Sequence, residues 1–122
     1  SLHVIYGIYL KGNLDRGGEV SDIYVRNIQF GETESAILID SYYKKEGNCC
    51  PPLFRNIHIE NVTCKNTRDY GISLIGSETK PLDNILIKNV TVDKTVLPFK
   101  IVHVKNLKIE NVKLNGEDLK YE

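Results

Sequence analysis

The sequence contains no methionine, no tryptophan and no apolar run of the roughly 18–20 residues that a membrane-spanning helix needs. It has no excess of charge either, since 16 Lys and Arg residues balance 16 Asp and Glu residues. Nothing in that balance favours nucleic acid or an anionic membrane as a partner. Residues 1–10 lack a basic segment and a small-residue cleavage site, so we do not expect a signal peptide there.

Cysteine is scarce and odd in number, with Cys49, Cys50 and Cys64. The adjacent pair seldom forms a disulfide, because the resulting ring is strained. Either member could bridge to Cys64 in a secreted protein, or all three could be buried or half-buried thiols. A zinc site needs a CxxC-type pair with His at ligand spacing, which is absent, so we expect no metal or other cofactor.

What the sequence has is repetition. Four segments follow the formula [Asn/Asp]-apolar-x-apolar-x-Asn-apolar-x-apolar, at residues 22–30, 56–64, 84–92 and 106–114. A spacing of two places the apolar side chains on one face of a strand and the polar ones on the other. Asparagine tolerates the left-handed backbone conformation, so the inner asparagine of each segment is predicted to form a bend between two strands. These bend residues are Asn27, Asn61, Asn89 and Asn111.

A second set of similar segments, residues 6–11, 35–40 and 70–75, lies between the first set. The bend asparagines at 27, 61, 89 and 111 are 34, 28 and 22 residues apart, and periods of about 20–50 residues indicate a solenoid. A sandwich of hairpins is disfavoured because no Asn-Gly or Asp-Gly turn lies between the repeated strands, and Asn115-Gly116 occurs only at the tail, after the last of them. A leucine-rich horseshoe is disfavoured because β-branched residues occupy its leucine positions. We predict an all-β, right-handed parallel β-helix, in one domain spanning residues 1–122.

The start of the sequence is apolar and strand-like, and it has no initiating methionine. One coil of a solenoid cannot bury its inner face alone, and an unpaired strand edge is normally covered. We therefore predict that the β-helix is truncated at its N-terminal end, and that upstream coils of the same parent chain pack there. Residues 115–122 are polar, as expected where a last coil finishes.

Three local features resemble one enzyme family. They are Gly7-Ile8-Tyr9-Leu10-Lys11 followed by Asp15-Arg16-Gly17-Gly18, then Ile39-Asp40-Ser41-Tyr42-Tyr43 with Pro51-Pro52 after a polar loop, and the order of the coils to the end. The sequence resembles the C-terminal portion of polygalacturonases and related pectin hydrolases, glycoside hydrolase family 28. This resemblance implies a secreted or periplasmic parent enzyme that hydrolyses galacturonate-containing pectic polysaccharide by an inverting mechanism.

The resemblance does not extend to the catalytic acids. The family carries them in Asn-Thr-Asp and Asp-Asp motifs, followed by a Gly-His-Gly strand, and none of these motifs occurs here. Inverting glycosidases need two carboxyl groups about 6.5–9.5 Å apart, one as general acid and one to activate water. We assign no catalytic residue and expect the chain alone to be inactive.

Four residues are candidate substrate-binding residues through the resemblance: Lys11, Tyr43, Tyr9 and Arg16. The resemblance implies that Lys11 holds a galacturonate carboxylate and that Tyr43 lines the cleft, although each also suits a solvated surface position. Arg16 either faces the cleft or braces the glycine loop after it. Tyr9 stands where the family has arginine, and a tyrosine cannot form a bidentate ion pair with a carboxylate. Either the substrate is not plain polygalacturonate, in which case a neutral sugar at that subsite would be compatible, or activity is weakened or lost.

An alternative function is a non-catalytic β-helical module for carbohydrate binding or scaffolding. Tyr9 and the missing acids favour it for this chain, whereas Lys11 and the order of the loops favour an enzyme for the parent. The sequons Asn61-Val62-Thr63 and Asn89-Val90-Thr91 are predicted to stay unglycosylated, because both asparagines serve as bend residues. The expected partner is a pectic poly- or oligosaccharide.

Overall fold

The structure, a computed structural model, describes residues 6–11, 19–41 and 53–120. Within these ranges the chain forms strands and connecting turns, and no helix that could cross a membrane is present. The strands are β1 (Tyr6–Lys11), β2 (Glu19–Thr33), β3 (Ser35–Asp40), β4 (Leu53–Ile75), β5 (Leu82–Val102), β6 (Val104–Leu114) and β7 (Glu117–Asp118).

The strands stack in one continuous sheet. β1 pairs with β3, β3 with β4, β4 with β5 and β5 with β6, while β2 pairs with the first part of β4. All these pairs are parallel, and among the described strands only β6 and β7 pair antiparallel. Parallel strands in one sheet are connected with a right-handed crossover in nearly all proteins. The predicted parallel β-helix is confirmed.

Four coils can be followed along the chain. The first contains β1 and β2, and the second contains β3 and residues 53–67 of β4. The third contains residues 70–75 of β4 and 82–95 of β5, and the fourth contains residues 97–102 of β5 together with β6. The cross-coil pairs Ile28 with Val62, Val62 with Val90 and Val90 with Val112 reproduce the predicted steps of 34, 28 and 22 residues.

Left-handed residues bend the long strands. The predicted bend residues Asn27, Asn61, Asn89 and Asn111 have φ angles of 62°, 59°, 55° and 53°. A second bend per coil was not predicted: the first residue of the repeat formula is also left-handed, at Asp22, Asn56, Asn84 and Asn106. The sequence signal was present, because all four positions hold Asn or Asp, the residues that best tolerate this conformation.

The bend side chains form ladders between coils. The amide nitrogen Nδ2 of Asn61 donates to Oδ1 of Asn27 at 3.0 Å, and Asn89 donates to Asn61 at 3.1 Å. Asn111 continues the ladder by donating to Asn89 at 2.9 Å. We call these four residues the inner-bend ladder. Every bond runs in the same direction, from a later coil to an earlier one, and each ties a left-handed residue to its neighbour.

The ladder at the other bend changes partner at its last step. Asn56 donates to Asp22 at 3.1 Å and Asn84 donates to Asn56 at 2.6 Å. Asn106, however, donates to Oδ1 of Asp83 at 2.8 Å, one residue before the expected Asn84. The repeat formula alone does not distinguish these two acceptors.

The core consists of aliphatic columns that run along the axis. Ile37 stacks between Ile8 and Ile72, and Ile59 stacks between Val25 and Ile87. The columns confirm the predicted equivalence of residues 6–11, 35–40 and 70–75. A fourth member of that set, residues 97–102, was missed, because Pro98 and Phe99 depart from the pattern. Phe99 nevertheless stacks on Ile72.

One inner column is polar. Thr33, Thr67 and Thr95 are buried and occupy equivalent positions in three coils. Thr67 donates its hydroxyl hydrogen to Thr95, whose own hydroxyl lies 2.6 Å from the carbonyl oxygen of Leu97. Asn115 caps this column below, accepting from the amide nitrogen of Thr95 at 2.8 Å. The buried hydroxyls are therefore satisfied, and so do not weaken the core.

A hairpin lies under the last coil. Asn115 and Gly116 have φ angles of 58° and 80°, the left-handed pair that a two-residue hairpin turn requires, and they join β6 to β7. Leu119 then returns to the core at 8% exposure, and its amide donates to the carbonyl of Val112 at 2.8 Å. The polar segment therefore ends the parallel stacking here with a short antiparallel pair.

Candidate functional site

The candidate site lies on the sheet formed by β1, β3 and the final residues of β4 and β5. Tyr9, in the middle of β1, alternates with the inward Ile8 and is 42% exposed. In the parallel register, Tyr9 lies opposite Leu38, Leu38 opposite Ser73, and Ser73 opposite Lys100. Neighbouring strands are about 4.8 Å apart, so this row crosses the sheet along the helix axis.

The four predicted site residues fall partly within the described structure. Tyr9 and Lys11 belong to the same strand, and the Cα of Lys11 pairs with that of Asp40 on β3. An acidic residue therefore occupies the strand position beside the lysine. Arg16 and Tyr43 lie outside the described residues. The substrate-binding roles of all four residues stay predictions.

Two further residues of this sheet were not predicted to matter. The ammonium nitrogen Nζ of Lys100 lies 6.0 Å from the centroid of the Tyr70 ring, which is the range of a cation–π contact. Lys100 is exposed and Tyr70 is half-buried. The pair was missed because Lys100 belongs to residues 97–102. In this segment, Pro98 and Phe99 obscure the equivalence with residues 6–11, 35–40 and 70–75. Lys100 adds a cation to the row that contains Tyr9.

The face formed by the stretch between the two bends carries mixed charge. Arg26, Glu60, Lys88 and Glu110 follow one another in register, so the sign alternates from coil to coil. Nearby, Arg55 forms an exposed ion pair with Glu19. An aromatic pair, Tyr24 and His58, also lies on this face with ring centroids 5.0 Å apart. Charge of alternating sign does not select a polyanion, so this face is a poorer candidate for pectate than the Tyr9 row.

Cys64 is a buried free thiol on the inner side of the second coil. Burial raises its pKa, hydrogen bonds to Thr33 and to the carbonyl of Asn66 oppose the rise, and the charge of Asp93 adds to it. A thiol that stays protonated is a weak nucleophile, so Cys64 is a structural residue rather than a catalytic one. Of the alternatives left open by the cysteine count, the free thiol is the correct one for Cys64. Cys49 and Cys50 lie outside the described residues.

Shallow grooves lie on the surface between side chains of successive coils. One groove, of about 580 Å³, runs along the inner-bend ladder. Another, of about 490 Å³, lies near Lys80 and Lys105. Within residues 6–11, 19–41 and 53–120, no three His, Cys, Asp or Glu side chains converge closely enough to hold a metal ion.

Comparison with known proteins agrees with the resemblance seen in the sequence. The sequence profile of the family described as glycosyl hydrolases family 28 matches residues 3–115. No curated protein matches the chain significantly. The match spans all four coils, including the strand that carries Tyr9 and Lys11.

Proposed function

Because this chain belongs to glycosyl hydrolases family 28, the polygalacturonase-like glycosidases, we propose that it forms the C-terminal coils of an enzyme that cleaves galacturonate-containing pectic polysaccharide. In this proposal, the chain supplies part of the substrate cleft. We further propose that the parent enzyme is secreted or periplasmic, where such polysaccharides are found.

The observation that carries this proposal is the position of Tyr9 and Lys11 on β1. Tyr9 is exposed on the outer face of the sheet, and an aromatic side chain with a polar tip can pack on a sugar ring and donate a hydrogen bond to it. Lys11 would bind a galacturonate carboxylate, and Tyr43 and Arg16 would complete the cleft from the loops. Lys100 lies farther along the same row and would favour an anionic substrate.

The acid and the water-activating base of hydrolysis are proposed to come from upstream coils of a longer parent chain. Two observations support this. The family's acid motifs are absent from the sequence. Among the described residues, the free edges of β1 and β2 have no strand partner, and the inner side chains of Val25 and Ile28 are only half-buried. A preceding coil would cover both.

The binding role is tested with the α-1,4-linked galacturonate hexamer and isothermal titration calorimetry. Lys11→Met removes the cation while keeping much of the side-chain volume, and should weaken binding about tenfold or more. Lys108→Met is the matched control, because Lys108 is exposed on a different face of the helix and should leave affinity unchanged. Equal affinity of the two variants would contradict the cleft assignment.

A non-catalytic carbohydrate-binding or scaffold module is the second candidate, favoured by Tyr9 in place of the family's arginine. The two functions are separated by measuring release of reducing ends from polygalacturonate. The chain alone should release none. A parent protein that includes the upstream coils should do so, and a silent parent that still binds the hexamer would establish the second function instead.

A further inference from the structure

The groove along the inner-bend ladder has a chemistry different from that of the Tyr9 row. Among the residues that the structure describes, its lining contains amides, one hydroxyl and one aliphatic side chain, and no charged residue: Asn27, Ile28, Gln29, Asn61, Thr63 and Asn89. The surface therefore offers hydrogen-bond donors and acceptors without selecting for charge. That is the character expected of a site for a neutral, hydroxyl-rich ligand rather than for a polyanion.

Several polar groups in the groove are unused. The side chains of Gln29 and Thr63 are exposed and make no hydrogen bond to any described residue, although their backbones pair within the sheet. Asn27 accepts from Asn61 through Oδ1. Asn61 and Asn89 each have a second N–H group beyond the one that their ladder bond uses. The groove thus contains a set of free donors and acceptors at its surface.

The ladder holds these groups in place before any ligand arrives. Asn27, Asn61 and Asn89 are linked by bonds of 3.0 and 3.1 Å and are anchored to left-handed backbone. Their rotamer freedom is already lost on folding, so little further entropy is lost on binding. The amides repeat at the separation of neighbouring strands, about 4.8 Å, which is comparable with the length of one sugar unit in an extended chain.

We propose that this groove is a second carbohydrate-binding site, which holds a neutral oligosaccharide lying along the helix axis. The ladder amides would bond to hydroxyls along one edge of the sugar chain, and Gln29 and Thr63, which pair in register on neighbouring strands, would bond to further hydroxyls. The site is on another face from Tyr9 and does not depend on the function proposed for that row.

The probes are cellohexaose and β-1,4-galactohexaose, with the galacturonate hexamer as the charged comparison. Binding to the 122-residue chain is followed by amide chemical shifts in NMR. At least one neutral probe should bind saturably and shift the amides of Gln29, Thr63 and their neighbours, while the galacturonate hexamer should not shift them. No saturable binding of either neutral probe, or tighter binding of the charged one at these amides, would overturn the proposal.

Side-chain substitutions locate the site without touching the ladder. Thr63→Val and Gln29→Ala should each lower the neutral probe's affinity about fivefold, which is the effect of one lost hydrogen bond. Thr79→Val is the matched control, since Thr79 is an exposed threonine that lines the other groove. Unchanged affinity in both groove variants, or an equal loss in the control, would also overturn the proposal. Binding of the galacturonate hexamer at the Tyr9 row should be the same in all three variants.

Discussion

The two middle coils and the two end coils follow the same repeat, but they bury their inner residues differently. In the second and third coils, Ile57, Ile59, Ile85 and Ile87 are between 0% and 1% exposed. The equivalent residues of the first and fourth coils, Ile23, Val25, Leu107 and Ile109, are only half-buried. The inner side chains of a coil are therefore fully buried only where neighbouring coils cover them on both sides. The coil's own sequence supplies the apolar side chains but not their cover.

The fourth coil shows how a covering element increases the burial of inner residues. Its stretch after the inner bend, at Val112 and Leu114, is 1% and 4% exposed, where the hairpin brings Leu119 against it. Its stretch before that bend, at Leu107 and Ile109, stays half-buried. Burial in this protein thus depends on what lies above and below each residue more than on residue type.

The largest test of this comparison is a pair of substitutions in one aliphatic column. Ile87→Ala in the third coil should lower the free energy of unfolding by about 3–4 kcal/mol, since a fully enclosed site cannot collapse around the lost atoms. Ile109→Ala, at the paired position of the fourth coil, should lower it by about half as much, because water already reaches that side chain. Urea denaturation measures both values, and equal losses would contradict the comparison.

A second pair tests the inner-bend ladder. Asn61 both donates to Asn27 and accepts from Asn89, whereas Asn111 only donates. Asn61→Ala should therefore destabilise the protein by about 2–3 kcal/mol and Asn111→Ala by about 1–2 kcal/mol, each value including the strain of a left-handed alanine.

Glycine variants separate the loss of the ladder hydrogen bonds from the backbone strain, because glycine adopts the left-handed conformation without strain. Asn61→Gly should regain about 1 kcal/mol relative to Asn61→Ala in the same denaturation experiment. If Asn61→Gly is no more stable than Asn61→Ala, backbone strain does not explain the choice of asparagine at these bends.

A smaller effect is expected at the hairpin under the fourth coil. An added Cβ at Gly116 would meet no atom within 4 Å, yet the residue has a φ angle of 80°. Gly116→Ala should lower the free energy of unfolding by about 1 kcal/mol through backbone strain alone. Hydrogen exchange should show faster opening at Val112 and Leu114 and little change in the second coil. Uniform acceleration throughout the chain would mean that the hairpin stabilises more than the last coil.

The smallest expected effect is the pH dependence contributed by Cys64. Burial raises the pKa of this thiol in the folded chain above its ordinary value of 9.0. Below that pH both states are protonated and the contribution to stability is fully present. As the pH rises further, the unfolded chain loses the thiol proton first, so the contribution is progressively lost until the folded thiol also ionises.

The comparison is wild type against Cys64→Val, because the next coil has Val92 at the same position. Urea midpoints between pH 7 and about pH 10.5 should fall more steeply for wild type, since the variant lacks the thiol. Other groups that titrate at high pH are common to both proteins and cancel in the difference. If the midpoints of the two proteins change equally with pH, folding does not raise the pKa of Cys64.

Most of the fold was predictable because it rests on local patterns. Alternation of apolar residues predicts strands, and the asparagines at 27, 61, 89 and 111 predicted bends at the correct positions and spacing. The segment 97–102 was missed because Pro98 and Phe99 differ from Gly71 and Ile72 in the preceding coil. Phe99 nevertheless occupies the position equivalent to Ile72. The second bend, at Asp22, Asn56, Asn84 and Asn106, was missed although these residues are the first position of the repeat formula.

The candidate site was less predictable. Tyr9 and Lys11 were identified through resemblance, and their roles stay predictions. The row that links Tyr9 to Lys100 joins residues 91 positions apart in the sequence, 9 and 100, and it appears only when the rungs are stacked. The groove along the inner-bend ladder likewise joins side chains from three coils, so no single segment contains it.

The amino-acid sequence by itself determined the strand periodicity and the left-handed bends, because each depends on residues a few positions apart, and the spacing of the bend asparagines indicated the register of the coils. The tertiary structure decided which residues are enclosed, which acceptor Asn106 uses, and which side chains share a face. These properties depend on atoms that lie about 5 Å apart across the sheet but more than 20 residues apart along the chain. Only stacking brings them together.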